Sequence, residues 1–190
     1  MTNNNTLIDR ALERGVQARG KVLENFRKIS HKQFNWKPSP ASWSIAQCLE
    51  HLVISDRSYF QVLEKIINGK YTLSFWEKYS PFSGLLGKML IDNLQEEVKR
   101  KTKTSDKLVP AMSEKDPSFI NDYLENLDTF MKYISACRQV DLNKTIITSP
   151  MLGFVTYSLK DAITFLPEHE HRHINQAIRV KEHPGFPGNN

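Results

Sequence analysis

Apolar residues recur at helical spacing in four separate stretches of this chain, and a sequence patterned this way buries its stripes in a bundle of helices. In the first stretch, residues 6–30, Ile8, Leu12, Val16, Leu23 and Phe26 fall near one stripe, and Lys37-Pro38-Ser39-Pro40 stops the helix from continuing. The second opens at Ser44, whose hydroxyl can accept from the backbone three residues on while Gln47 reaches back. That capping box predicts a helix over 45–68, ending before Gly69. The third, over 117–140, turns Ile120, Tyr123, Leu127, Phe130, Ile134 and Cys137 inward. The fourth covers 158–181, with Asp161 in its first turn and Pro184 and Gly185 past its end. Inside it, Pro167 lacks an N–H and crowds the preceding turn, which predicts a kink or irregular turn over 163–167. The expected fold is all-α, a four-helix bundle without an extended sheet, and 190 residues suit one domain spanning 1–190.

Helices two and three are separated by about 48 residues, against the roughly 2–8 that join adjacent antiparallel helices. A long crossover over 69–116 follows. Leu85, Leu86, Met89, Leu90 and Leu94 give part of it a further amphipathic pattern, read as a short packed helix.

Charge and cysteine usage narrow the function classes. The net charge of +5 owes much to Lys99-Arg100-Lys101-Thr102-Lys103 and Lys107. No aromatic residues interleave with that run and no nucleic-acid-binding motif accompanies it, so it reads as a solvated face and no nucleic-acid partner is expected. No basic segment leading into an apolar run opens the chain, and no stretch reaches the roughly 18 apolar residues of a membrane span. Cys48 and Cys137 make neither a CxxC pair nor a disulfide framework, which suits a reducing compartment. The expectation is a cytoplasmic protein with no membrane partner.

The histidines carry the chemistry. Glu168-His169-Glu170-His171-Arg172-His173 lies in the middle of the fourth helix. At 100° per residue His169 and His173 share one face, and they continue the stripe Ala162, Leu166, Gln176 and Val180. His171 points to nearly the opposite side and reads, with His31 and His183, as a surface residue. Two imidazoles at i and i+4 on an inward face are a metal-chelating arrangement. His51 shares the inward face of the second helix with Cys48, Leu52, Ser55, Tyr59 and Val62, and is the third ligand candidate. Three neutral imidazoles suit Zn or Ni and leave at least one coordination position open. Gln176, one turn beyond His173, and Glu50, beside His51, are candidates to orient an imidazole or a bound water.

These residues also resemble a known family. Trp43-Ser44-Ile45-Ala46-Gln47-Cys48-Leu49-Glu50-His51-Leu52 is similar to the W-S-x-x-[EQ]-x-x-x-H-L signature of the DinB-like superfamily. Pro150-Met151-Leu152-Gly153 resembles its P-x-x-G loop, and His169, His173 and Gln176 match its H-x-x-x-H-x-x-Q. The resemblance implies an up-down-down-up bundle, a homodimer, and one metal ion held by a histidine of the second helix and two of the fourth. Its characterised members include enzymes acting with low-molecular-weight thiols, bacillithiol S-transferases among them. Arg172 stands where a further histidine often sits in the family, which leaves the ligand set intact and alters its surroundings.

Three functions compete. A metal-dependent transferase would present a low-molecular-weight thiol to small electrophilic substrates and needs no protein nucleophile. A metal-dependent hydrolase would want a carboxylate base at the open position, for which Glu50 and Glu168 are the sequence neighbours of the ligands. A non-catalytic stress-response or binding protein would use the metal for stability alone.

Overall fold

A computed structural model describes residues 2–80, 108–150 and 152–188. Its elements are α1 (Thr2–Phe26), α2 (His31–Asn35), α3 (Ile45–Ile67), α4 (Phe75–Tyr79), α5 (Phe119–Ala136), a 3-10 turn (Cys137–Gln139), β1 (Ile146–Thr148), β2 (Thr156–Ser158) and α6 (Leu159–Lys181). The protein is mostly helical, and the one small sheet among the described residues is an antiparallel ribbon pairing Ile147 with Tyr157.

Side-chain caps set the helix starts. Ser30 with Gln33, Ser44 with Gln47, Ser74 with Glu77 and Ser158 with Asp161 each form a reciprocal capping box, satisfying backbone N–H groups that have no partner within the helix. The Ser30 box explains why α1 ends at Phe26 and not near residue 30: a new short helix begins there. Gly69 closes α3 with a φ of 66°, a conformation glycine adopts without a Cβ penalty. The α-helix of α6 continues unbroken through Pro167, without the irregular turn expected before it.

The four long helices pack in a ring, α1 against α5 and α6, and α3 against α5 and α6. Arg14 meets Glu168, Lys21 meets Asn175 and Asn25 meets Lys181, so α1 and α6 run parallel. His51 meets His169 whereas Tyr59, two turns later, meets Tyr157 just ahead of α6, so α3 runs antiparallel to it. The core divides in two. One cluster gathers Tyr59, Leu63, Phe130, Ile134, Phe165 and Leu166, the other Leu49, Leu52, Leu127, Ile174 and Ala177. Between them α3 and α6 place Asp56, His169, Glu170 and His173, so buried polar chemistry is concentrated at one level of the bundle.

The buried face of α1 differs from the expected stripe. Val16 and Leu23 are 63% and 37% exposed, whereas Ile8, Ala11, Ala18, Val22 and Phe26 are buried. At Gly15 the Met131 side chain of α5 fills the space a Cβ would need, its Cγ lying 2.8 Å from that position. Apolar size therefore misled the reading of this face.

The amphipathic segment Leu85, Leu86, Met89, Leu90 and Leu94, and the basic run from Lys99 to Lys107, lie outside the described residues. Among those described, no helix is long and apolar enough to cross a membrane.

Candidate metal centre

The Ser44 cap starts α3 so that His51 comes just under two turns in, facing α6, while Trp43 is left at the helix entrance. Across the seam, His169 and His173 stand one turn apart on α6. All three are buried, at 2%, 6% and 8% exposure. One ring nitrogen from each lies within 4.8 Å of the others. His51 and His173 have ring centroids 4.4 Å apart, and His169 and His173 4.6 Å. Trp43 covers the group, 4.9 Å from the His51 ring and stacked at 5.7 Å on His173.

Hydrogen bonds to the outer nitrogens assign the tautomers. His51 Nδ1–H donates to the Leu108 carbonyl at 2.8 Å, and His173 Nδ1–H donates to Gln176 Oε1 at 3.0 Å. A carbonyl oxygen can only accept, so in both neutral rings the Nε2 lone pair is left available. His51 Nε2 lies 3.2 Å from His169 Nε2. The edge of a tetrahedron with metal–nitrogen bonds of about 2.0–2.1 Å is about 3.3–3.4 Å, so this pair already stands at the separation that two ligands of one ion require. The donor set fits one metal ion.

Burial pushes all three imidazoles down from their usual range, His169 to about 3, because a charged ring would lose its hydration. The positive charge of Arg172 adds to the effect at each ring. At neutral pH the rings are unprotonated, the form that ligates.

Gln176 is placed as its helical spacing suggested, on the outer nitrogen of His173. Glu50 is not. One of its carboxylate oxygens accepts from the Ala111 N–H at 3.0 Å and the other pairs with Lys115 at 2.8 Å, so it bonds no imidazole directly. Adjacent helix positions diverge by 100°, which turns Glu50 away from the seam His51 faces. Glu168 pairs with Arg14 of α1 at 2.6 Å and is likewise directed away from the triad.

His171 corrects a further expectation. It is fully buried, and its Nε2 lies 2.9 Å from the Arg14 carbonyl of α1. A helix in a ring has two neighbours, so the side opposite the triad packs on α1 and does not meet solvent. His31 and His183 are exposed, as expected.

Sequence reasoning missed three features. The Leu108 carbonyl is a backbone group with no residue-type signature. Trp43 was visible only as part of a motif. The third is a buried acid pair: Tyr123 donates to Glu170 Oε2 at 2.7 Å and Asn126 donates to Asp56 Oδ2 at 2.7 Å. Burial raises both carboxyl groups above the usual carboxylate range, and the charge of Glu170 raises Asp56 further. The helical wheel held the signal for Glu170, 100° from His169 and so turned toward the interior beside α5.

A protein-family model described as the DinB superfamily matches residues 14–177. No curated protein and no solved structure matches the chain.

Proposed function

The chain belongs to the DinB superfamily, and from that premise we propose that His51, His169 and His173 hold one divalent metal ion, Zn or Ni, at which a low-molecular-weight thiol is transferred to small electrophilic substrates. The observation that carries this reading is the convergence of three buried, neutral imidazoles with two inner nitrogens 3.2 Å apart. When bound, an ion with three protein ligands and an open position supplies Lewis acidity that keeps a thiol deprotonated near neutral pH.

The chain's own residues support a nucleophile brought from outside. Cys48 and Cys137 are buried, which pushes their thiols up to about 12 and about 11, far from reactivity. Leu108 and Gln176 orient two of the imidazoles, Trp43 shields them from water, and the guanidinium of Arg172 adds positive charge that favours an anionic ligand. The hydrolase alternative loses support because the carboxylates adjacent to the ligands are engaged elsewhere, Glu50 with Lys115, Glu168 with Arg14 and Glu170 with Tyr123. The non-catalytic alternative, a metal-stabilised binding or stress-response protein, keeps the triad and forgoes turnover. The full reading is a single-domain cytoplasmic homodimer, for which light scattering should give twice the 22.0 kDa chain mass.

Metal analysis of untagged protein, followed by conjugation assays with several low-molecular-weight thiols and one broad electrophile, tests the proposal. One ion per chain and turnover lost with a chelator are expected. Protein that binds no ion overturns the whole reading, and a loaded protein inert toward every thiol overturns the transferase.

A further inference from the structure

We propose that residues 108–115 form a strap that positions His51 for the metal, with Glu50 as its anchor, so that strap docking and metal binding are one coupled equilibrium. The inference rests on the metal reading above and concerns only this chain's residues.

Three side chains within the first two turns of α3 each hold one part of the strap. Gln47 Nε2 donates to the Ala111 carbonyl at 3.1 Å, Glu50 Oε2 accepts from the Ala111 N–H at 3.0 Å, and His51 donates to the Leu108 carbonyl at 2.8 Å. The far end is tied to α2, where Asn35 bonds both the N–H and the carbonyl of Lys115 at 2.8 Å. Lys115 in turn pairs with the second Glu50 oxygen at 2.8 Å. The near end is held by burial of Leu108 and Pro110, and the fixed φ of proline limits how the peptide groups between the anchors can turn.

His51 is the only one of these groups that belongs to the triad. With the Leu108 carbonyl in place its proton sits on Nδ1 and its Nε2 lone pair faces His169. With the strap displaced, the ring would be free to protonate either nitrogen and to rotate, and part of the population would offer no ligand atom. Losing such an outer partner typically costs 10–100-fold in metal affinity. Glu50 touches neither the ring nor the inner site, so it acts as a positioning residue through Ala111. By reciprocity, metal bound at His51 must tighten the strap by the same factor.

The test measures Zn affinity by chelator competition for the wild type, Glu50→Ala, Glu50→Gln and His169→Ala, and follows the Ala111 amide by hydrogen exchange with and without Zn. Glu50→Ala should bind Zn about tenfold more weakly. Glu50→Gln keeps an oxygen for the Ala111 N–H and should recover most of that loss. Zn should slow exchange at Ala111 in the wild type and much less in Glu50→Ala. Wild-type affinity in Glu50→Ala, exchange at Ala111 indifferent to Zn, or a Gln variant as weak as the Ala variant would each overturn the strap; the last would mean that Glu50 acts by its charge alone. Wild-type protein that binds no Zn, or His169→Ala that binds it fully, sinks the metal reading and the strap with it.

Discussion

His51 and His169, from antiparallel helices and 118 positions apart in sequence, present Nε2 atoms 3.2 Å from each other, and His51 donates its other ring hydrogen to the Leu108 carbonyl. A neutral ring whose Nδ1 holds the proton has an Nε2 that can only accept. Replacing His51, His169 or His173 with Ala should therefore weaken metal binding on the order of 100-fold, because each removes a donor from a set of three. Chelator competition measures it. The variants should stay folded, since each fully buried Leu or Phe of the two core clusters contributes about 1.5–3 kcal/mol independently of any ion.

The same burial makes the metal-free protein acid-sensitive. The folded pKa values of His51, His169 and His173 are lowered, so below about pH 6.5 the unfolded chain takes up protons that the folded chain refuses. Each ring then removes about 1.4 kcal/mol per pH unit. For His169 the loss continues toward its folded value of about 3. Asp56 and Glu170 act in the opposite direction: their raised folded values mean that the folded chain gains protons first, Glu170 below about 7, and so recovers stability as pH falls. Three rings against two carboxyls leave a smaller net loss. Urea unfolding of metal-free protein at pH 7.5, 6.5 and 5.5 should show midpoints falling across the last step, and a flat profile would contradict the burial argument.

His171→Ala should separate stability from ligation. The ring is fully buried against α1 and bonded to the Arg14 carbonyl, so removing it leaves a cavity and loses that bond, costing about 1–3 kcal/mol. Metal affinity should stay within about twofold of wild type, because the ring lies on the opposite side of α6 from His169 and His173. Thermal unfolding and chelator competition on the same sample check both halves.

Gly15→Ala tests how the Met131 side chain of α5 packs against α1. An alanine inside a helix gains about 1 kcal/mol over glycine, yet here its methyl meets the Met131 side chain, and overpacking costs about 1–3 kcal/mol. Net destabilisation is expected. In a Met131→Ala background the obstacle is gone, and the same substitution should stabilise. A double-mutant cycle in urea reads the change of sign.

Much of the fold could be read without coordinates because its determinants are local. Ser44 with Gln47, and Asp161 in the first turn of α6, marked helix starts through bonds spanning three residues, and the spacing of Ile120, Tyr123, Leu127, Phe130 and Ile134 marked a face that is indeed buried. The placement of His169 and His173 on one side of α6 follows from the helical repeat alone.

Tertiary packing decided what a single helix cannot express. His171 is buried because α6 has a neighbour on its other side, and Val16 lost its expected place to Gly15 and Ala18, where the Met131 side chain of α5 fills the space beside Gly15. Glu50 bonds the Ala111 N–H, which belongs to a strap 61 positions away and is invisible from its place beside His51. The Leu108 carbonyl that fixes the His51 tautomer is a group every residue carries. Periodicity and caps are short-range and written in residue type; neighbour identity and backbone contacts across the bundle arise only once distant segments pack together.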